Sequence, residues 1–133
     1  MVETQLTPAL IQEGAALVEG LDKAGVSPDA ALWLYFPDIQ AWKLLLAEVK
    51  VGPEGPREVY RSVQKTLQAL RNQVTHLSLE DVVLAKPDEP LIKLLAQAIA
   101  TGPGINGIRF TRNVVNGTLI EDAYIYRLKR PAA

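Results

Sequence analysis

The chain has no cysteine and a single histidine, His76, among its 133 residues. Without cysteine there is no disulfide, no thiolate metal site and no cysteine nucleophile, so any metal would have to be bound by carboxylates. One histidine also limits acid–base chemistry, and with no second histidine to join it we expect His76 to be a surface or capping residue. These absences favour a non-enzymatic protein with no cofactor and no metal.

Neither sign of charge is in excess, because 14 lysines and arginines face 15 aspartates and glutamates and the pI is about 5.8. The chain as a whole therefore has no field that would draw it to nucleic acid or to an anionic membrane. No apolar run approaches the roughly 18 residues of a membrane span, and the N-terminus shows no signal-peptide pattern. We therefore expect a cytoplasmic protein that does not insert into a membrane.

The composition, 48% hydrophobic and 22% charged, is that of an ordinary globular domain. At this length we expect one domain over residues 1–133, with disordered ends at about 1–5 and 130–133. There is no room for a second domain.

Residues 107–128 predict a β-hairpin around Asn116-Gly117, which supplies the two positive-φ positions of a tight type I′ turn. Counting outward from the turn pairs Arg109 with Tyr124, and side chains alternate between two faces. The predicted core face carries Ile108, Phe110, Val114, Leu119, Ala123 and Ile125, with the Arg112–Glu121 pair near the turn. The other, half-exposed face carries Arg109, Thr111, Ile120, Asp122, Tyr124 and Tyr126. A shift of one residue would exchange the two faces.

Residues 31–51 predict another hairpin, with its turn at Pro37. This register pairs Tyr35 with Trp42. One face then carries Trp33, Tyr35, Trp42, Leu44 and Leu46, and the other carries Leu32, Leu34, Phe36 and Leu45. Antiparallel sheets normally leave one face in water, so a hairpin with two apolar faces has to be covered twice, by helices or by another molecule.

Three amphipathic helices are predicted, at about 8–24, 57–72 and 89–100, and a short strand at 77–85. The order α-ββ-α-β-α-ββ indicates an α+β fold with a mostly antiparallel five-strand sheet and three helices packed mainly on one face. Gly14 lies on the apolar stripe of the first helix. It either allows a close approach to the sheet or is an ordinary tolerated glycine.

Two motif matches are better explained as local structure. Residues 102–107 fit the pattern G-x-G-x-x-G. In a dinucleotide-binding site this loop follows a strand and precedes a helix, whereas here it follows a predicted helix and precedes a predicted strand. Adjacent acids occur at Glu80-Asp81, Asp88-Glu89 and Glu121-Asp122. Neighbouring strand residues point to opposite faces, so a Mg²⁺ site would need acids from two adjacent strands, and cap, turn or surface roles explain each acid.

The apolar hairpin leads to the first hypothesis about function, a non-enzymatic interaction or accessory module. Such a module would be a homodimer, or would bind a protein partner, through an aromatic surface of the sheet. Its candidate residues are Trp33, Tyr35, Trp42, Arg109, Tyr124 and Tyr126.

Two alternatives stay open. One is a small-molecule domain or small enzyme with a pocket between sheet and helices, lined by the same aromatics, in which Arg109 binds an anionic ligand. The other, which the balanced charge disfavours, is nucleic-acid binding through a basic face of the second helix and the C-terminal tail. The basic residues are Arg57, Arg61, Lys65 and Arg71 on the helix, with Arg127, Lys129 and Arg130 in the tail.

Overall fold

The structure, a computed structural model, describes residues 5–47, 56–85, 90–99, 101–102, 104–115 and 117–129. Its helices are α1 (Pro8–Lys23), α2 (Pro56–Ala69) and α3 (Pro90–Ala98). Its strands are β1 (Ala30–Phe36), β2 (Ala41–Ala47), β3 (Val82–Ala85), β4 (Ile108–Val115) and β5 (Thr118–Leu128). Residues 1–4 and 130–133, where disordered ends are predicted, lie outside the described residues.

The strands form one open sheet in the order β3-β2-β1-β5-β4. All neighbours are antiparallel except β2 and β3, which run parallel because the connection containing α2 crosses over between them. The α+β class, the element order and the mostly antiparallel five-strand sheet predicted from the sequence are therefore confirmed. The three helices, predicted mainly on one face, are divided between both: α1 and α2 pack on one face of the sheet, and α3 packs on the other.

The β1–β2 hairpin forms the middle of the sheet, with β3 on one side and β5 on the other. Its register is the predicted one, with Tyr35 opposite Trp42. The face that carries Trp33 and Leu44 packs beneath α1 and α2, and the face that carries Leu32 packs beneath α3. Helices of the same chain thus supply both of the covers that two apolar faces require.

The β4–β5 hairpin also has the predicted register, and Gly117 has a φ of 81° in its turn. Near the turn, however, the predicted faces are wrong. Val114 and Leu119, expected in the core, are 65% and 58% exposed, and Ile120 is buried instead. Arg112 accounts for the exchange, because its φ of 45° is left-handed and side chains alternate regularly only where the strand stays extended.

Residues 77–85 do not form the continuous strand that the sequence predicts. Leu79–Asp81 is a 3₁₀ turn, in which the Asp81 carboxylate accepts hydrogen bonds from the N–H and the hydroxyl of Ser78. Only β3 joins the sheet, and it does so at an edge, where Val83 is exposed rather than inside the sheet as predicted.

A β-bulge directs two consecutive residues of β5 towards α1. Leu32 pairs with Ile125. Its neighbour Ala31 pairs with Arg127, so Tyr126 is the additional residue. The Tyr126 hydroxyl and the Arg127 guanidinium both bond to α1, and both side chains are buried. This corrects two predictions, the half-exposed position of Tyr126 and the place of Arg127 in a basic tail.

Candidate ligand-binding cleft

The six predicted interface residues share one face of the sheet, but it is the face that α1 and α2 cover. Trp33, Trp42 and Tyr126 are buried, Tyr35 and Tyr124 are half-buried, and Arg109 is exposed. The three buried aromatics therefore offer little free surface to a partner protein. The aromatic surface predicted from the sequence is therefore largely part of the core.

Tyr126 fixes α1 to the sheet. Its hydroxyl accepts a hydrogen bond of 2.9 Å from Trp33 Nε1 and donates one of 2.6 Å to the carbonyl oxygen of Ile11. Gly14 permits this contact, because a Cβ there would overlap the Tyr126 hydroxyl and lie 2.8 Å from Trp33 Nε1. Of the two alternatives for Gly14, the close approach to the sheet is correct. Burial raises the pKa of Tyr126 by more than the hydrogen bond from Trp33 lowers it, so the phenol stays neutral.

Arg109 is bound to Asp122 and lies over Trp42. Its Nε and Nη2 donate hydrogen bonds of 2.7 and 2.6 Å to the two carboxylate oxygens of Asp122, which raises the pKa of Arg109. Its Cζ is 5.5 Å from the centroid of the Trp42 ring. Because this bidentate pair occupies the guanidinium, Arg109 is poorly placed to anchor an anionic ligand.

A cleft of about 690 Å³ opens between the start of α1, the β1–β2 hairpin and the 3₁₀ turn. Its apolar walls are Leu10, Trp33 and Trp42, and its polar rim is Gln5, Thr7, Lys43, His76, Glu80 and Asp81. Of the six residues predicted as a site, the two tryptophans line this cleft and the other four do not. The volume falls within the range of about 300–1,000 Å³ that is usual for small-molecule pockets.

Several rim residues are held in place by local hydrogen bonds. Thr7 accepts a hydrogen bond of 3.2 Å from the N–H of Leu10 and so caps α1. Lys43 Nζ donates one of 3.1 Å to the carbonyl oxygen of Glu80, which ties β2 to the 3₁₀ turn. The start of the helix and the turn therefore define the opening of the cleft.

His76 is oriented on the rim by Glu13, a buried carboxylate of α1. Glu13 Oε1 accepts hydrogen bonds of 2.8 and 2.9 Å from the backbone N–H groups of His76 and Leu77, and Oε2 lies 2.8 Å from His76 Nδ1. Burial raises the pKa of Glu13, but the hydrogen bonds from Leu77 and His76 lower it by more, so the net shift is downward. The exposed position predicted for His76 is correct, but its ring is held by a carboxylate.

Glu13 is not among the candidate residues predicted from the sequence. A signal was present. Glu13 lies four residues before Leu17 and eight before Leu21, so it belongs to the same stripe as these buried leucines. A carboxylate on a buried stripe needs donors, and the chain after α2 supplies them.

The basic face predicted on the second helix is exposed at all of its residues, Arg57, Arg61, Lys65 and Arg71. The C-terminal tail adds little positive charge. Arg127 is buried in an ion pair with Asp22, Lys129 Nζ is 3.3 Å from an Asp29 carboxylate oxygen, and Arg130 lies outside the described residues. Such a face is the ordinary solvated side of an amphipathic helix.

The acids considered for a Mg²⁺ site do not meet. Glu80 and Asp81 precede β3 at one edge of the sheet, whereas Glu121 and Asp122 belong to β5, with β2 and β1 in between. In the described part of the chain, no group of three or more histidine, aspartate or glutamate residues could hold a metal ion.

The chain matches no protein-family model, no curated protein and no solved structure. None of the helices in the described ranges combines the length and the apolar character needed to cross a bilayer. The function is therefore argued from the geometry of the cleft.

Proposed function

We propose that this chain binds a small, largely apolar or aromatic molecule in the cleft between α1 and the β1–β2 hairpin. The observation that carries the proposal is the wall of the cleft, where Trp33, Trp42 and Leu10 line a single space of about 690 Å³. Aromatic and aliphatic walls combined with polar groups that can orient a ligand are typical of small-molecule sites. Catalysis is not part of the proposal.

The burial of the aromatics supports a small ligand in preference to a protein bound on this face. Protein interfaces are built from side chains that are exposed before association. Trp33 and Trp42 are already covered, with 1% and 7% of their surface exposed, and that small exposed part lines the cleft. A small molecule can therefore contact them without displacement of α1. The cytoplasmic location expected from the sequence is kept as part of this proposal.

Tryptophan fluorescence tests the proposal directly, because the chain has two tryptophans and both line the cleft. We expect saturable changes in emission when the protein is titrated with a series of aromatic and aliphatic fragments. Ala9, on the first turn of α1, also lines the cleft, so Ala9→Phe should fill it and abolish the response. Ala98→Phe, at an exposed position of α3, is the matched control and should respond like the wild type.

Two outcomes would contradict the proposal. One is the absence of any saturable response across the fragment series. The other is an unchanged response in Ala9→Phe with the fold intact by circular dichroism, because a ligand that tolerates a filled cleft binds elsewhere.

We also propose self-association as a second candidate function, and it is favoured by a different surface. Val114 and Leu119 face each other across the β4–β5 hairpin and are both largely exposed. β4 is an edge strand, so its outer backbone groups pair with no other described strand. An open edge that ends in two apolar side chains is suited to a second copy of the chain.

Light scattering after gel filtration tests self-association. We expect the wild type to elute as a dimer and Leu119→Lys to elute as a folded monomer. A wild-type monomer at high protein concentration would contradict this second candidate.

A further inference from the structure

The contact with Glu13 determines which nitrogen of His76 carries a proton. An ionised carboxylate is an acceptor only, and Glu13 Oε2 lies 2.8 Å from His76 Nδ1. The Thr75 hydroxyl, 3.1 Å from the same nitrogen, can accept a hydrogen bond as well as donate one. If Nδ1 carried no proton, it would be an acceptor facing the carboxylate of Glu13, which is also an acceptor. The proton is therefore on Nδ1. In the neutral ring, Nε2 is then left as an acceptor.

Glu13 is a rigid anchor for this ring. Its Oε1 accepts two backbone N–H groups, so the carboxylate cannot turn away without leaving buried donors unpaired. The Glu13 side chain is 7% exposed, whereas that of His76 is 63% exposed. The Nδ1 edge of the imidazole is therefore fixed, and the rest of the ring is largely exposed beside the cleft that His76 lines.

We propose that His76 Nε2 accepts a hydrogen bond from the ligand in the cleft, and that this ligand is an aromatic or apolar molecule with a neutral O–H or N–H donor. The inference rests on the proposed function. Both side-chain hydrogen bonds that the described residues make to the His76 ring are at Nδ1, and none is at Nε2. The other charged groups on the rim are the ammonium of Lys43, bonded to the carbonyl oxygen of Glu80, the carboxylate of Glu80, and Asp81, bonded to Ser78.

The first test reads the tautomer and needs no ligand. His76 is the one histidine in the chain, so a long-range ¹H–¹⁵N correlation spectrum of protein labelled with ¹⁵N-histidine shows a single imidazole. In the neutral ring we expect the Nδ1–H tautomer. An Nε2–H tautomer would overturn the inference, because that nitrogen could not accept a hydrogen bond.

Glu13→Gln tests the positioning role of Glu13 with almost no change of shape. The side-chain carbonyl of the glutamine can accept the hydrogen bonds from both backbone N–H groups. Its NH₂ group then faces His76 Nδ1 as a donor. We expect the spectrum to change from the Nδ1–H to the Nε2–H tautomer. A purely structural role would leave the tautomer unchanged, and that result would contradict the inference.

Phenol and anisole separate this inference from the proposed function, because they share a ring but phenol alone carries an O–H. In the wild type we expect both probes to change the fluorescence of Trp33 and Trp42, and phenol alone to shift the Nε2 resonance of His76. Phenol should bind about three- to tenfold more tightly, which is the gain expected from one neutral hydrogen bond. Glu13→Gln should remove this difference.

The two proposals fail in different ways. Equal affinities for the probes and no shift at His76, with the tryptophan response retained, would overturn this inference and leave the proposed function standing. No response of the tryptophans or of His76 to either probe would overturn both.

Discussion

Trp33 Nε1 donates a hydrogen bond of 2.9 Å to the hydroxyl oxygen of Tyr126, and the same hydroxyl donates to the carbonyl oxygen of Ile11. One phenol therefore joins β1, β5 and α1 beside the wall of the cleft. Among the described residues, no buried side-chain nitrogen or oxygen lacks a hydrogen-bond partner. Removal of one member of this network would leave others unpaired.

Tyr126→Phe should destabilise the protein by about 1–3 kcal/mol, because it leaves the buried Trp33 Nε1 without an acceptor. The free energy of unfolding from urea denaturation measures the change. Tyr124→Phe is the matched control, since Tyr124 is half-buried and its hydroxyl makes no hydrogen bond to the described residues. We expect that control to change stability by less than about 0.5 kcal/mol. Equal losses in the two variants would contradict the prediction.

Gly14→Ala should destabilise the protein by about 1–3 kcal/mol, because the new Cβ overlaps Tyr126 and approaches Trp33. Helix propensity alone predicts the opposite sign, since alanine is favoured over glycine by about 1 kcal/mol within a helix. Thermal and urea denaturation measure the effect. Gly102→Ala is the control, because nothing lies within 4 Å of a Cβ at that position. A more stable Gly14→Ala protein would show that α1 can move away from the sheet.

Two adjacent residues of β5 test the exchange of faces near Arg112. Ile120 is buried and Leu119 is largely exposed, although the alternation predicted from the sequence places them the other way round. In the monomer at low protein concentration, Ile120→Ala should therefore cost about 2–4 kcal/mol, and Leu119→Ala less than about 0.5 kcal/mol. Urea denaturation of the two variants decides between the arrangements. A larger loss of stability in Leu119→Ala than in Ile120→Ala would show that side chains alternate regularly along β5, as predicted from the sequence.

Acid should weaken the ion pair between Asp22 and Arg127. The hydrogen bond from Arg127 lowers the pKa of Asp22 below its ordinary value of 3.8, although burial opposes this, and the hydrogen bond from Ser27 lowers it further. A carboxyl group whose pKa is lowered by folding stabilises the protein above its unfolded pKa, and this contribution is lost as the pH falls through the folded value. The contribution of Asp22 is therefore full at neutral pH and declines from about pH 4 downward.

Asp22→Asn should accordingly be destabilising at pH 7 and nearly neutral in acid. Urea denaturation of both proteins across a pH series measures the difference in the free energy of unfolding. Glu19→Gln is the control, because Glu19 pairs with Lys23 at the surface and should have little effect at any pH. A constant difference between the wild type and Asp22→Asn from neutral to acid pH would contradict the assignment.

Much of the fold follows from local chemistry in the sequence. A turn led by Pro37 and a turn that contains Gly117 fix the registers of both hairpins, because each strand pairing is counted outward from its turn. Thr7 and Pro8 likewise mark the first turn of α1. Both tryptophans of the cleft were among the candidate residues. They could be identified because a hairpin that is apolar on both faces has to be covered on both.

The tertiary structure alone decided which surfaces remain open. The sequence does not specify where the connections cross the sheet, so it could not show that α1 covers Trp33 and Tyr126. It could not show the left-handed Arg112, because that conformation is uncommon for a residue other than glycine. The Glu13–His76 contact joins residues 63 positions apart and exists only because the chain after α2 returns to α1. Turn chemistry is local, whereas burial depends on contacts between distant parts of the chain, so the element order and the hairpin registers could be predicted from the sequence and the covered faces of the sheet could not.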